Sequence, residues 1–170
     1  MKILFYGLIF TVALVLQSTV FAVFPILGAY PELVLMVVII FSIINGGAKG
    51  AKLGFAGGLL QDMLFGRLIG LNAVVMMIVG FGAGVLAQRL YKENYVIPFL
   101  SVLLGTWVGQ FLYLLGMMLF GLAVPWDITV LSVIFGSGLY NGLITLLVYK
   151  PFVYLNSRII YWDELVKRAG

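Results

Sequence analysis

The residues able to do chemistry are few. The 170-residue chain holds 10 Lys and Arg and 6 Asp and Glu, with no Cys and no His. That composition leaves no thiol nucleophile, no zinc or haem site of the common kinds and no imidazole to shuttle protons. What remains is a set of carboxylates (Glu32, Asp62, Asp127), the cation Arg67 and the amides Gln17, Gln61 and Asn72. Two carboxylates held together can run general acid–base catalysis, and a glycine-rich loop before a helix can cradle phosphate. Neither arrangement is found: no two carboxylates share the middle of an apolar stretch, no Lys lies inside one, and no nucleotide loop occurs. The expectation is a protein that is not an enzyme, with no cofactor and no metal, whose polar residues bond to one another.

The elements that carry these residues are apolar to an unusual degree. Hydrophobic residues make up 64% of the chain and charged ones 9%, with a mean hydropathy of +1.19. Soluble domains carry about a quarter charged residues, and a globule of this size could not hide so much apolar surface. No charge occurs in 3–31, 68–88, 94–126 or 128–149, and each stretch exceeds the roughly 20 residues that cross a bilayer as a helix. The class expected is all-α and polytopic, embedded in the lipid bilayer. Soluble enzymes, nucleic-acid binders, disordered chains and disulfide scaffolds are excluded. The net charge of +4 reports membrane topology rather than nucleic acid.

Hydropathy and breakers divide the chain into six predicted spans, at about 3–24, 31–44, 53–65, 70–88, 96–124 and 128–149. The first is read as an uncleaved span rather than a signal peptide, because further spans follow it. Spans two and three are short, which raises the alternative of a re-entrant hairpin. The loop between them carries Lys49 and Lys52, and leaving both at membrane depth would cost several kcal/mol, about 2.5 or more each. Crossing is the better reading. Nine of the ten basic residues (Lys2, Lys49, Lys52, Arg89, Lys92, Lys150, Arg158, Lys167, Arg168) then fall on one side and only Arg67 on the other. By the positive-inside rule both termini are cytoplasmic. Residues 1–149 form the membrane domain and 150–170 a cytoplasmic tail. In that tail Phe152, Leu155, Ile159, Trp162 and Val166 repeat at three and four residues, the pattern of an amphipathic helix lying in the interface, with Asn156, Arg158, Asp163, Glu164 and Lys167 largely off the apolar face.

Glycine supplies the packing surface. Seven Gly pairs stand four apart, against about 2.5 expected for 21 glycines placed at random. They assign smooth helix faces to Gly50, Gly54 and Gly58, to Gly80 and Gly84, to Gly105 and Gly109, and to Gly138 and Gly142. Asp62 lies on the first of these rows, so it is expected to face a neighbouring helix and to take a donor from Gln17 or Arg67. Pro31 and Glu32 suit a helix start, and Asn72 suits a cap on the fourth span. Thr106, Gln110 and Tyr113 share one face of span five, and Asn141 and Thr145 one face of span six. Hydrogen bonds between helices are expected there.

The order Leu16-Gln17-Ser18-Thr19, Pro31-Glu32-Leu33, Gly54-Phe55-Ala56-Gly57-Gly58-Leu59-Leu60-Gln61-Asp62 and Gly70-Leu71-Asn72-Ala73 resembles that of the rod shape-determining protein MreD family. The motif-bearing part covers residues 12–84, and spans five and six agree in hydropathy and length. Where the family often has Pro-Asp, this chain has Pro31-Glu32. The resemblance implies a non-enzymatic subunit of the bacterial cell-elongation machinery in the inner membrane. It implies MreC as partner, with RodA, its transpeptidase and the MreB filaments as further ones. It also implies a fold like that of the substrate-binding subunits of energy-coupling-factor vitamin transporters, which makes a small-molecule carrier the alternative function. Gln17, Glu32, Gln61, Asp62, Arg67 and Asn72 are the polar residues expected to serve fold and partner docking.

Overall fold

The computed structural model describes residues 2–25, 28–88, 96–123 and 127–169, with side chains in 5–161 except those of Ala22 and Gln88. Its elements are α1 (Lys2–Ser18), α2 (Val20–Val23), α3 (Leu33–Asn45), α4 (Gly47–Phe65), α5 (Leu71–Gln88), α6 (Val96–Leu119) and α7 (Ile128–Ala169). The four-residue α2 continues α1 past a break at Thr19, so six principal helices make an all-α bundle.

α3 is the axis. Its sequence, Leu-Val-Leu-Met-Val-Val-Ile-Ile-Phe-Ser-Ile-Ile-Asn, is apolar on every side, and such a helix belongs in a core. Leu33 through Ile43 are all buried, and α1, α4, α5, α6 and α7 all pack on it. The 13 residues of α3 extend about 20 Å at 1.5 Å each, less than the ~30 Å of a bilayer core. Being wrapped by its neighbours, α3 has no lipid to match. The outward faces of the surrounding helices are apolar instead, as at Leu8, Val12, Met63, Ile78, Leu104 and Leu147. Two helices, Val96–Leu119 and Ile128–Tyr161, are long and apolar enough to cross a membrane.

Three boundaries differ from the sequence reading. The glycine-rich segment expected to be a loop is helical from Gly47 onward, and Gly46 alone joins α3 to α4. Gly46 has φ +94° and donates to the Ser42 carbonyl at 2.8 Å, a left-handed stop that only glycine adopts cheaply. The third helix therefore has 19 residues, long enough to span. The fifth ends at Leu119 rather than 124. There Leu122 N donates to Met117 O (3.0 Å) and Gly121 N to Met118 O (2.9 Å), with Gly121 at φ +75°, the Schellman pattern. The sixth does not stop at 149: α7 runs as one 42-residue helix through Pro151. Tyr149, Phe152 and Asn156 are buried along this extension, so Asn156 belongs to its packed side and not to the polar face assigned from spacing. Arg89 and Lys92, and the side chains of Lys2, Trp162, Asp163, Glu164, Val166, Lys167 and Arg168, lie outside the described residues.

The glycine rows decide which helices touch. A Cβ on Gly54 would strike the Met76 backbone, one on Gly58 would come 2.6 Å from the Ala73 Cα, and one on Gly80 would come 2.8 Å from the Gly50 carbonyl. Gly84 meets the backbone of Gly47 in the same way. α4 and α5 thus pack backbone to backbone, which side chains would forbid. Elsewhere glycines receive side chains: Ile39 on Gly105, Leu35 on Gly109, the Trp107 ring on Gly138 and the Phe99 ring on Gly142. Trp107 and Phe135 meet edge to face at 4.9 Å, closing the α6–α7 contact.

Candidate functional site

The polar residues gather at the end of the bundle that carries the 66–70 turn and the starts of α3, α5 and α7. Asp62, only 2% exposed, is the best satisfied of them. Its Oδ2 accepts from Gly70 N (2.9 Å) and Ala73 N (3.2 Å). Its Oδ1 accepts from Asn72 N (3.3 Å) and Asn72 Nδ2 (2.8 Å). These amides are the orphan donors at the start of α5, and a negative charge is favoured at that positive dipole end. The residue that would ordinarily cap them is Gly70, which has φ +97° and no side chain. Asp62, one helix earlier, supplies the missing oxygens. The donors are therefore not Gln17 or Arg67, and Asn72 is a donor to the cap rather than the cap. Arg67 is exposed on the turn and, among the described residues, gives nothing to Asp62.

The same substitution from a distance occurs at α3. Glu32 holds the N-cap position but makes no side-chain cap bond. Gln17 Oε1 accepts from Val34 N (3.3 Å) instead. Pro31 and Glu32 precede the helix rather than forming its first turn. Glu32 is thereby released to face the interior, where its Oε1 accepts from Gln110 Nε2 at 3.1 Å.

From Glu32 a polar seam joins α3, α6 and α7. Asn141 takes the Glu32 N–H on Oδ1 (3.0 Å) and gives Nδ2 to Thr106 Oγ1 (3.0 Å). Gln110 Nε2 also donates to Ser137 Oγ (2.6 Å), whose own hydrogen goes to the Ile134 carbonyl. Of the residues expected to link span five to span six, Thr106 and Asn141 do bond to each other, while Gln110 reaches Ser137, outside the expected set. Thr145 bonds within its own helix, to Asn141 O at 2.7 Å, rather than across. Asp127 caps α7 through Val130 N at 3.0 Å.

Ser137 and the roles of Asn45, Tyr6 and Asn156 were not singled out from the sequence. At the opposite end of the bundle Asn156 Oδ1 accepts from Tyr6 OH (2.9 Å) and from Asn45 Nδ2 (3.3 Å), tying α7 to α1 and α3. The available signal was a set of lone polar residues on otherwise apolar helices, each needing a partner.

Beside the seam lies a recess of about 400 Å³, with Glu32, Gln61, Asn72, Gln110, Tyr113 and Thr129 as its polar lining. A second, of about 510 Å³, shares Glu32, Gln61 and Gln110 with it and reaches Gln17 and Tyr30. The Oε1 atoms of Gln61 and Gln110 are buried with no hydrogen-bond partner among the described residues. Among those residues no group of three His, Cys, Asp or Glu is placed to hold a metal ion.

A bundle with an apolar outer surface, whose carboxylates and amides cap helices and join them, defines an α-helical membrane protein built around helix packing. The chain belongs to the rod shape-determining protein MreD family, whose model matches residues 1–159 of it. It is accordingly a cell shape-determining membrane protein, of a family that works within the MreB/MreC system and is not known for enzymes. No curated protein and no solved structure gives a significant match to the chain.

Proposed function

We propose that the protein is a non-enzymatic scaffold of the bacterial cell-elongation machinery, multi-pass in the inner membrane, which binds MreC and so helps position peptidoglycan synthesis. The observation that carries this is the use made of the polar residues. Asp62, Gln17, Asn141 and Asn156 are each bonded to an element other than their own, so the chemistry of the chain goes into holding one shape. Six crossings with both termini cytoplasmic suit that role, because the basic residues then fall on the cytoplasmic side. The seam and the recess then lie toward the outer face. For an MreC membrane helix, the face that suits is the groove between α1, α3 and α7, lined by apolar side chains such as Leu8, Val12, Met36, Val148 and Phe152.

The test is co-purification with MreC in mild detergent, together with rescue of rod shape in cells lacking the native subunit. Retention of MreC and restored rods are expected. Failure to hold MreC, with rods restored or not, overturns the scaffold assignment. One observation favours a second reading, a substrate-binding subunit for a vitamin-like small molecule: the recess beside Glu32. A ligand-induced rise in melting temperature by such a molecule, with no MreC bound, would establish it instead.

A further inference from the structure

The recess is rich in acceptors. The amide of Gln110 is held in one sense: Nε2 donates to Ser137 Oγ and to Glu32 Oε1, and turning it around would set its oxygen against the Glu32 carboxylate. That fixes Gln110 Oε1 as an acceptor that nothing in the described chain satisfies. The Gln61 Oε1 is likewise buried with no hydrogen-bond partner among the described residues, and Gln61 lines the same space. The Glu32 carboxylate receives only the Gln110 hydrogen there. Asn72 Nδ2 is engaged with Asp62, which leaves the hydroxyls of Tyr113 and Thr129 and the Nε2 of Gln61 as the other donor-bearing groups of the lining. A carboxylate with one side-chain donor and two buried amide oxygens with none, in surroundings of low dielectric, suit a compact cation bearing hydrogens.

We infer that this recess binds a primary ammonium group, and that the group belongs to the headgroup of a phosphatidylethanolamine lipid. An ammonium has three N–H donors to offer to Glu32, Gln61 and Gln110. A quaternary ammonium has none and is usually held by a cage of aromatic rings, whereas Phe65 and Tyr113 are the aromatic residues in a lining that is otherwise aliphatic and polar. The rest of the lining favours a lipid over a free amine. Leu35, Phe65, Val75, Met76, Val133 and Ile134 make apolar walls for glycerol and acyl carbons. Exposed Arg67 sits two residues beyond Phe65 on the adjoining turn, where a cation suits the phosphate that follows the ammonium. The volume falls within the ~300–1,000 Å³ of small-molecule sites.

The test uses the full chain in mild detergent, titrated separately with phosphatidylethanolamine, with phosphatidylcholine of the same acyl chains, and with propylammonium chloride. Binding is read by thermal melting and by native mass spectrometry. Phosphatidylethanolamine is expected to raise the melting temperature and to remain bound, with an affinity about tenfold above that of phosphatidylcholine. Glu32→Gln and Gln61→Leu should each weaken that binding by about fivefold or more. The Gln61 Oε1 has no partner among the described residues to lose, so Gln61→Leu decides the matter even if Glu32→Gln fails to fold. Equal binding of the two lipids, or unchanged binding in Gln61→Leu, overturns the proposal. A full response to propylammonium without preference between the lipids overturns the lipid assignment and gives the site to a soluble amine.

Discussion

The carboxylate of Asp62 on α4 and the side-chain amide of Asn72 on α5 meet at 2.8 Å, and the same carboxylate holds three backbone amides at the start of α5. One residue thus closes the turn between two helices whose backbones touch along a glycine row. The arrangement makes Asn a poor replacement for Asp, because an amide would present an NH₂ where both oxygens are needed.

Asp62→Asn is expected to lower stability by about 2 kcal/mol, and Asp62→Leu by about 3 or more, since buried amides are left without acceptors. Thermal unfolding in detergent measures the difference. Equal stability of wild type and Asp62→Asn would show that the cap contributes nothing.

Glycine positions on two sides of α5 should behave oppositely. Gly80→Ala places a methyl 2.8 Å from the Gly50 carbonyl, whereas a Cβ on Gly82 meets nothing within 4 Å. Gly80→Ala is expected to destabilise by about 1–3 kcal/mol through forced separation of α4 and α5. Gly82→Ala should be neutral or stabilising by about 0.5–1 kcal/mol, because it removes backbone freedom inside a helix. Side-by-side melting curves check both.

Asn141 joins three elements at one point, so Asn141→Leu strands the Glu32 N–H and takes away the hydrogen that Thr106 Oγ1 accepts, leaving that hydroxyl only its own bond to the Val102 carbonyl. A loss of about 2–3 kcal/mol is expected. Thr145→Val, which removes a bond made only within α7, should cost less, about 1 kcal/mol or below. A reversed order in chemical denaturation would place the seam elsewhere.

Asn156 holds the extension of α7 against Tyr6 and Asn45. Asn156→Leu is expected to raise protease cleavage beyond Pro151 severalfold while leaving the outer seam intact. Tyr6→Phe, which removes one of the two donors, should have a smaller effect. Limited proteolysis followed by mass spectrometry reads both.

How much of this was legible varied with the range of the forces involved. Apolar run lengths marked out all six principal helices, because desolvation of a whole segment is a local, additive quantity. The spacing of Gly50, Gly54 and Gly58 marked a contact face, yet no local signal says that the face opposite is α5. That pairing also explains the misread start of α4: a segment with Gly and Lys reads as a loop on propensity, and packing against α5 overrides it. The sixth span likewise reads as ending at 149, but Phe152 and Asn156 hold the helix through Pro151. For Asp62, the burial was readable and the donors were not. The overlooked signal was Gly70, a helix start with no side chain to cap its own amides.

The continuity of α7 has a mechanical meaning. Forty-two residues measure about 63 Å at 1.5 Å each, roughly twice the ~30 Å of a bilayer core. The helix is pinned at one level by Ser137 and Asn141 and at another by Asn156, and Pro151 lies between them. It is therefore a lever with two bearings and a weak point between them. A load applied beyond Asn156 would turn about that residue, and the stiffness of the turn at Pro151 would set how much of the motion reaches Gln110 and Glu32.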